Sequence, residues 1–154
     1  EAAAKAQQKT NAPIWIHHGG ILGVEIAQVL SDAGADLSKV ILGHIDRNPD
    51  LYDHLEILKT GMNVSVDNLA RITRYPVQTN IDVIKNIIDH GYIDRLFISA
   101  DFGRISYYEA YGGGPGLRYI FESFYPRMID QLKLSPDEVE KLKTKNVQTV
   151  YGQF

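Results

Sequence analysis

Three side chains that could bind a metal ion occupy equivalent places along this sequence. His17, His44 and Asp101 each lie at, or just beyond, the end of a short apolar segment. Two imidazoles and a carboxylate are ligands that zinc and similar divalent ions accept. A lone histidine is more often a hydrogen-bonded structural residue, but three candidates at equivalent places favour a shared site.

The segments that carry these residues alternate with helical patterns. Short apolar, β-branched runs predict strands at 13–18, 39–44, 62–66 and 95–100, the first of them buried on both faces. Helical spacing of apolar residues predicts helices at about 22–33, 50–60, 80–90 and 117–132. The opening residues are also helix-forming, and Ser135 with Glu138 predicts the capping box of a last helix.

Strands that alternate with helices predict an α/β fold with a parallel sheet. The sheet could be open and doubly wound, which the length of 154 residues favours, or part of an eight-stranded barrel of about 250 residues. No G-x-G-x-x-G turn follows a strand, so the sequence gives little support to nucleotide binding. In a barrel, His17, His44 and Asp101 would meet, because the strand C-terminal ends face the active site.

Five short stretches of the sequence carry a family resemblance: Ile14–His17, Val40–Asp46, Leu96–Asp101, Tyr111–Leu117 and Leu134–Glu140. They resemble the phosphotriesterase-like lactonases of the amidohydrolase superfamily. The resemblance covers practically the whole chain and implies the C-terminal half of a metal-dependent hydrolase barrel. We therefore expect residues 1–154 to form a single domain, a (βα)4 half barrel with an extra helix at each end.

The resemblance also implies roles for the candidate ligands. His17 and His44 are similar to the two histidines that bind the more exposed metal of the family. Asp101 is similar to the catalytic aspartate that binds the more buried metal and handles the proton of the bridging hydroxide. The family's His-x-His pair and bridging carboxylated lysine or glutamate are absent from this sequence. The expectation is a three-ligand site for one divalent ion, zinc first, with manganese, cobalt or iron as alternatives.

Five other residues are candidates for supporting the metal or for contacting substrate. His18 should point away from His17 and be structural, and Asp46 could orient an imidazole or cap a helix. Asn68 lies where related lactonases often carry a substrate-contacting arginine, which puts simple transfer of lactone specificity in doubt. Arg104 and Tyr107 lie on the loop after the last strand, where barrels contact substrate.

Composition excludes several classes of function. The net charge is −3 with scattered basic residues, which argues against nucleic acid as a partner. There is no cysteine, so disulfides and thiolate chemistry are excluded, and we expect a cytoplasmic location. No apolar run approaches the roughly 20 residues of a membrane span. The chain opens without Met, and we expect a trimmed natural helix there rather than an engineered spacer.

The sequence thus predicts a metal-dependent hydrolase that attacks a small-molecule lactone, ester or phosphotriester with a metal-bound hydroxide. The alternative is a non-catalytic half-barrel fragment, natural or engineered, that folds and self-associates. Either way, four strands leave two sheet edges unpaired and an inner face uncovered, which predicts association. The expected partner is a second copy, giving a homodimer, or the missing N-terminal half barrel.

Overall fold

The centre of the structure is a sheet of four parallel strands. A computed structural model describes residues 1–72 and 74–152. The strands are β1 (Ile14–His17), β2 (Val40–Gly43), β3 (Asn63–Val66) and β4 (Leu96–Ile98). Their order in the sheet follows the chain, with each neighbouring pair parallel. The order never reverses, as it does in a doubly wound sheet, so the structure has the topology of half a barrel.

Helices precede, connect and follow the strands. They are α1 (Ala2–Thr10), α2 (Gly23–Asp32), α3 (Leu51–Lys59), α4 (Val77–Asp89), α5 (Tyr125–Leu132), α6 (Pro136–Glu140) and α7 (Asn146–Tyr151). Single π-helical segments, Ile120–Phe124 and Lys141–Lys145, lead into α5 and α7. The predicted capping box of Ser135 and Glu138 is present. Within residues 1–72 and 74–152, no helix has the length and apolar character to cross a membrane.

Side chains alternate between the two faces of the sheet, and only the outer face is fully covered. On that face Val40, Leu42, Val64 and Leu96 are completely buried against the helices. On the inner face of β1, Trp15 is 44% exposed. The prediction that the first strand is buried on both faces is therefore wrong. It fails because β1 is an edge strand whose inner face has no covering layer.

The C-terminal helix α7 covers the lower part of the inner face. Val150 on α7 packs against Ile41 of β2 and Phe97 of β4. Asn146 fixes the helix there, because its side-chain amide donates to the carbonyl oxygens of Ile93 and Leu96, at 2.8 Å each. The floor of the half barrel is thus closed from within the chain, while the end that carries the predicted ligands remains open.

His54 anchors the loop that follows β2. It lies on α3, is fully buried, and its Nε2 donates to the carbonyl oxygens of Ile45 and Asn48, at 3.0 Å each. Burial lowers the pKa of His54, although the two carbonyl hydrogen bonds act in the opposite direction. The ring is therefore neutral in the folded chain at neutral pH, and it holds in place the turn that begins at His44.

We predict that His54→Gln changes how stability depends on pH. Since the folded-state pKa is lowered, the wild type loses stability as the pH falls below the ordinary histidine value of about 6.5. At pH 8 the variant should be less stable by about 1–3 kcal/mol, the usual cost of disturbing buried hydrogen bonds. Urea unfolding at pH 8 and pH 5.5 should show this deficit shrinking at the lower pH.

The matched control is His90→Gln, because the His90 side chain is exposed and, among residues 1–72 and 74–152, its one hydrogen bond is to the carbonyl of Asn86 in the last turns of α4. This control should show neither the deficit nor the change with pH. A deficit for His54→Gln that is equal at both pH values would contradict the assignment of a neutral, buried imidazole.

Candidate functional site

The open end of the inner face contains a concavity of about 330 Å³. Its lining residues are Trp15, His17, His44, Asp67, Ser99 and Asp101. Gly43 shapes one wall, since a Cβ at this position would lie 2.7 Å from Nε1 of the Trp15 indole. A side chain there would have to displace the indole, which lies directly over the backbone of β2. The strand ends therefore bring all three predicted ligands to the wall of one cavity.

A chain of hydrogen bonds links the side chains at three strand ends. Asp67 Oδ1 lies 2.5 Å from Nδ1 of His44, and Nε2 of His44 lies 3.0 Å from Nδ1 of His17. Nε2 of His17 lies 3.2 Å from the Arg47 guanidinium, which is always a donor. This pattern assigns one proton to Nδ1 of His17, which donates to His44, and one to Nδ1 of His44, which donates to Asp67. The Asp67 carboxylate thus orients His44.

Two of the predicted ligands have an unusual backbone conformation. His44 has φ of 64° and Asp101 has φ of 46°, both in the left-handed region that non-glycine residues rarely adopt. Each residue stands directly after a strand or within three residues of its end, where the chain turns away from the sheet. Strained residues of this kind are concentrated at functional sites, because surrounding contacts must hold them in place.

Asp101 is paired with an arginine. Its Oδ2 accepts a hydrogen bond from Nη2 of Arg71, and the Arg71 and Asp101 side chains are 15% and 29% exposed. The three residues His17, His44 and Asp101 therefore share the cavity without pointing to one centre. Within residues 1–72 and 74–152, no group of three or more His, Cys, Asp or Glu side chains is arranged to hold a metal ion.

A divalent metal ion fits the two imidazoles and does not fit the carboxylate. Nδ1 of His17 and Nε2 of His44 are 3.0 Å apart. Two nitrogens on one tetrahedral ion with bonds of about 2.1 Å would be separated by roughly 3.4 Å, so a small movement suffices. Asp101 would have to leave Arg71 before it could join them. The three-ligand site stays a prediction: in this structure the two imidazoles contact each other, and the Asp101 carboxylate is paired with Arg71.

Asp46 and Asn68, both predicted as supporting residues, bind each other. The Asp46 carboxylate accepts from the backbone N–H of Asn68 at 2.8 Å and from its side-chain amide at 2.6 Å. Burial raises the pKa of Asp46, and the nearby Asp67 carboxylate raises it further. The pair ties the loop after β2 to the loop after β3. Asp46 thus neither contacts an imidazole nor caps α3, whose N-cap is Asp50.

The remaining candidates lie outside the cavity. His18 is 1% exposed, and its Nε2 lies 2.7 Å from the carbonyl oxygen of Ile21, so it holds a turn. Burial lowers the pKa of His18. Arg104 and Tyr107 line a second cavity of about 310 Å³ together with Arg71. Because Arg71 also contacts Asp101, this second cavity adjoins the first.

Asp67, Arg71 and Arg47 are the residues of the site that the sequence reasoning missed. Asp67 directly follows β3, so the strand-end rule that identified His44 would also have found it. Arg47 and Arg71 carry no such signal, because they lie on loops three or more residues beyond their strands. Only the folded loops bring the two guanidiniums against the predicted ligands.

The chain is similar to known proteins over nearly its whole length. The family model described as the Phosphotriesterase family matches residues 1–151. The chain belongs to the phosphotriesterase family. A phospho-furanose lactonase of Mycoplasmopsis synoviae is 31% identical over 97% of the chain and 44% of its own length. An N-acetyltaurine hydrolase of Dictyostelium discoideum is 39% identical over 82% of the chain and 38% of its own length.

Solved structures of the family have the same fold over the whole chain. A lactonase of Listeria monocytogenes superposes with a TM-score of 0.91 at 34% identity, covering 97% of this chain and 47% of that protein. The phosphotriesterase homology protein of Escherichia coli, with phosphate in its active site, gives 0.91 at 30% identity, covering 99% and 52%. The chain therefore spans about half the length of the relatives that it matches. The predicted family and half-barrel fold are confirmed.

We predict that Asp67 controls metal affinity through His44. Titration with Co²⁺, followed by absorbance and calorimetry, should show binding that His44→Ala abolishes. Asp67→Asn should weaken binding by about 10–100-fold, the usual effect of removing a carboxylate that orients a ligating histidine. His90→Ala is the control and should leave binding unchanged. Equal Co²⁺ affinity in the wild type and His44→Ala would show that the imidazole pair is not the binding site.

Proposed function

We propose that this chain forms half of the active site of a metal-dependent hydrolase whose substrate is a carbonyl compound that carries a tetrahedral oxyanion. A phosphorylated lactone is such a compound. The observation that carries the proposal is a cluster of three arginines in the cavity beside Asp101. The family relationship supports hydrolysis as the chemistry, and the arginines support the anionic group as the feature that is recognised.

The arginine cavity has the composition of an anion site. Arg71, Arg74 and Arg104 line it together with the hydroxyl-bearing Ser106 and Tyr107. Guanidinium groups match the geometry of phosphate and similar oxyanions, to which they donate two parallel hydrogen bonds. Three of them around one small cavity repel one another unless an anion or a carboxylate neutralises them, and Asp101 contacts Arg71 alone.

The names of two relatives are consistent with this reading. One relative is a phospho-furanose lactonase, and the other is an N-acetyltaurine hydrolase. A phosphorylated lactone carries a phosphate and N-acetyltaurine carries a sulfonate, and each contains a carbonyl group that water can attack. The two substrates share a tetrahedral oxyanion a short distance from the reacting carbon. We infer that the arginine cavity of this chain binds the oxyanion, with the scissile carbonyl placed in the cavity of His17 and His44.

Each group of the site has a role in such a reaction. A divalent ion, zinc first among the candidates, would activate water and polarise the carbonyl when bound. His17 and His44 would hold that ion, with His44 oriented by Asp67. Asp101 lies at the mouth of the same cavity and can accept a proton once Arg71 releases it. Arg104 and Tyr107 would fix the substrate's anionic end, which sets the position of its carbonyl.

The rival proposal is a half barrel without catalytic activity. The Arg71–Asp101 ion pair favours it, because an arginine occupies the carboxylate that the family uses for catalysis. If the half barrel is not catalytic, removal of metal should leave folding and assembly unchanged. Hydrolysis should then stay at the background rate with every substrate and metal.

We predict that hydrolysis depends on the anionic group of the substrate. With Zn²⁺, Mn²⁺ or Co²⁺ added, a phosphorylated five-membered lactone should be hydrolysed faster than its unphosphorylated counterpart or a neutral phosphotriester. Arg104→Gln should raise KM for the phosphorylated lactone by about tenfold or more, which corresponds to one charge-assisted hydrogen bond. KM for the neutral lactone should not change. Background rates with all three substrates and all three metals would support the non-catalytic reading.

We further propose that a second copy of the chain completes the barrel. In the part of the chain that the structure describes, β1 and β4 each pair with one strand and have a second edge without a strand partner. Large apolar side chains are exposed on the segments that follow the two edge strands: Leu22 and Val29, which lie near Ile16 of β1, and Leu117 and Phe121, which follow β4 in the chain. A two-fold axis along the barrel would place β1 of each copy beside β4 of the other, giving eight strands without a free edge. Relatives about twice as long support a barrel built from two such halves.

We predict a dimer that Val29→Lys disrupts, because Val29 is 60% exposed beside the β1 edge. Sedimentation and light scattering should give a dimer mass that falls toward the monomer in this variant. Trp15 is the only tryptophan, and its emission should shift to the red as the inner face opens. The control is Tyr52→Lys, since Tyr52 is 68% exposed on α3, away from both edges. A monomer at every concentration would leave the other half of a family barrel as the partner.

A further inference from the structure

The Arg71 guanidinium lies at the boundary between the two cavities of the site. One of its nitrogens, Nη2, donates to Oδ2 of Asp101, at the wall of the cavity of His17 and His44. The same side chain lines the arginine cavity with Arg74 and Arg104. Its Nε is buried and, in the described part of the chain, has no hydrogen-bond partner. Arg71 thus has donors left over after it has bound Asp101.

We propose that Arg71 is shared between Asp101 and an oxyanion in the arginine cavity, so that anion binding releases the Asp101 carboxylate. The proposal rests on the proposed function in one respect, namely that the arginine cavity binds an anion. It adds that the two cavities are coupled through one side chain. Arg71 is then a positioning residue that makes Asp101 available only when the anionic part of a substrate is in place.

Asp101 and the bound oxyanion compete for Arg71 because both are negatively charged. A doubly charged oxyanion beside Arg74 and Arg104 attracts the Arg71 guanidinium more strongly than the single negative charge of Asp101 does. The pair that must be broken is partly exposed, with Asp101 29% exposed, so it is weak compared with a buried ion pair. An oxyanion held by three guanidiniums can therefore draw Arg71 away from a carboxylate held by one.

Competition of this kind must be reciprocal, because the coupling is an equilibrium free energy. If an anion in the arginine cavity weakens the contact between Arg71 and Asp101, then removing the charge of Asp101 must strengthen anion binding. The same coupling requires an anion to strengthen the binding of a cation that uses Asp101. Arg71 carries the coupling, so both effects must disappear when its charge is removed.

The experiment measures sulfate affinity by calorimetry at low ionic strength in the wild type, Asp101→Asn, Arg71→Gln and the double variant. Asparagine tolerates the left-handed backbone of position 101, so Asp101→Asn should keep its fold. We expect Asp101→Asn to bind sulfate about fivefold more tightly, the effect of one partly exposed ion pair. Arg71→Gln should weaken binding, and adding Asp101→Asn to it should then change nothing. Arg71→Lys should restore part of the coupling, because it restores the charge.

Two controls separate coupling from net charge. Asp89→Asn removes an exposed carboxylate that pairs with Lys85, and Arg127→Gln removes an exposed guanidinium that contacts Gln78. Neither should alter sulfate affinity beyond a small, salt-sensitive change. As a second readout, sulfate should raise Co²⁺ affinity in the wild type and have no effect in Arg71→Gln.

The outcomes distinguish the coupling from the proposed anion site on which it rests. Sulfate binding that is equal in the wild type and Asp101→Asn would overturn the coupling and leave the anion site intact. An equal gain from Asp101→Asn with and without Arg71→Gln would also overturn it, since the effect would then be long-range charge. No sulfate binding in any variant would overturn both the coupling and the proposed role of the arginine cavity.

Discussion

A parallel sheet is normally buried on both faces, but this four-stranded sheet is fully covered on its outer face alone. The outer face is buried under helices, where Val40, Leu42 and Val64 are inaccessible to solvent. The inner face is covered only at its floor, by Val150 against Ile41 and Phe97. Above this floor the inner side chains can be polar, and His17, Asp67 and Ser99 line an open cavity. The site exists where the core of the half barrel is incomplete.

The loops after the strands convert this open face into a defined arrangement. His44 leaves β2 with a left-handed backbone, and its ring is held by Asp67 from the next strand end. His54 fixes the loop that follows, through the carbonyl oxygens of Ile45 and Asn48. Buried polar residues therefore determine where the imidazole lies. Rigid support of this kind is what a candidate ligand with a strained backbone requires.

Sequence reasoning predicted the elements well, and it placed the candidate ligands His17, His44 and Asp101 together at strand ends, because both predictions depend on local patterns. Apolar runs and helical spacing identified four strands and their helices, and the strand-end rule identified His17 and His44. The prediction of burial failed at β1, where Trp15 is exposed, because an apolar run cannot reveal whether another element covers its face of the sheet. Sequence reasoning also missed Arg71, since no local pattern marks a loop arginine that reaches another loop. Burial and loop contacts depend on the tertiary structure, which local patterns in a single sequence do not reveal.

The two missed arginines determine how the site balances its charge. Asp67 and Asp101 are carboxylates at the wall of one cavity, and family metal sites would offset such charge with divalent ions. In this chain Arg47 contacts His17 and Arg71 contacts Asp101, so guanidinium groups lie beside two of the three candidate ligands. Positive charge within a few ångströms of a metal position opposes metal binding unless it moves or meets an anion. In the proposed function the arginine cavity is such an anion site, so charge balance would link the two halves of the proposed chemistry.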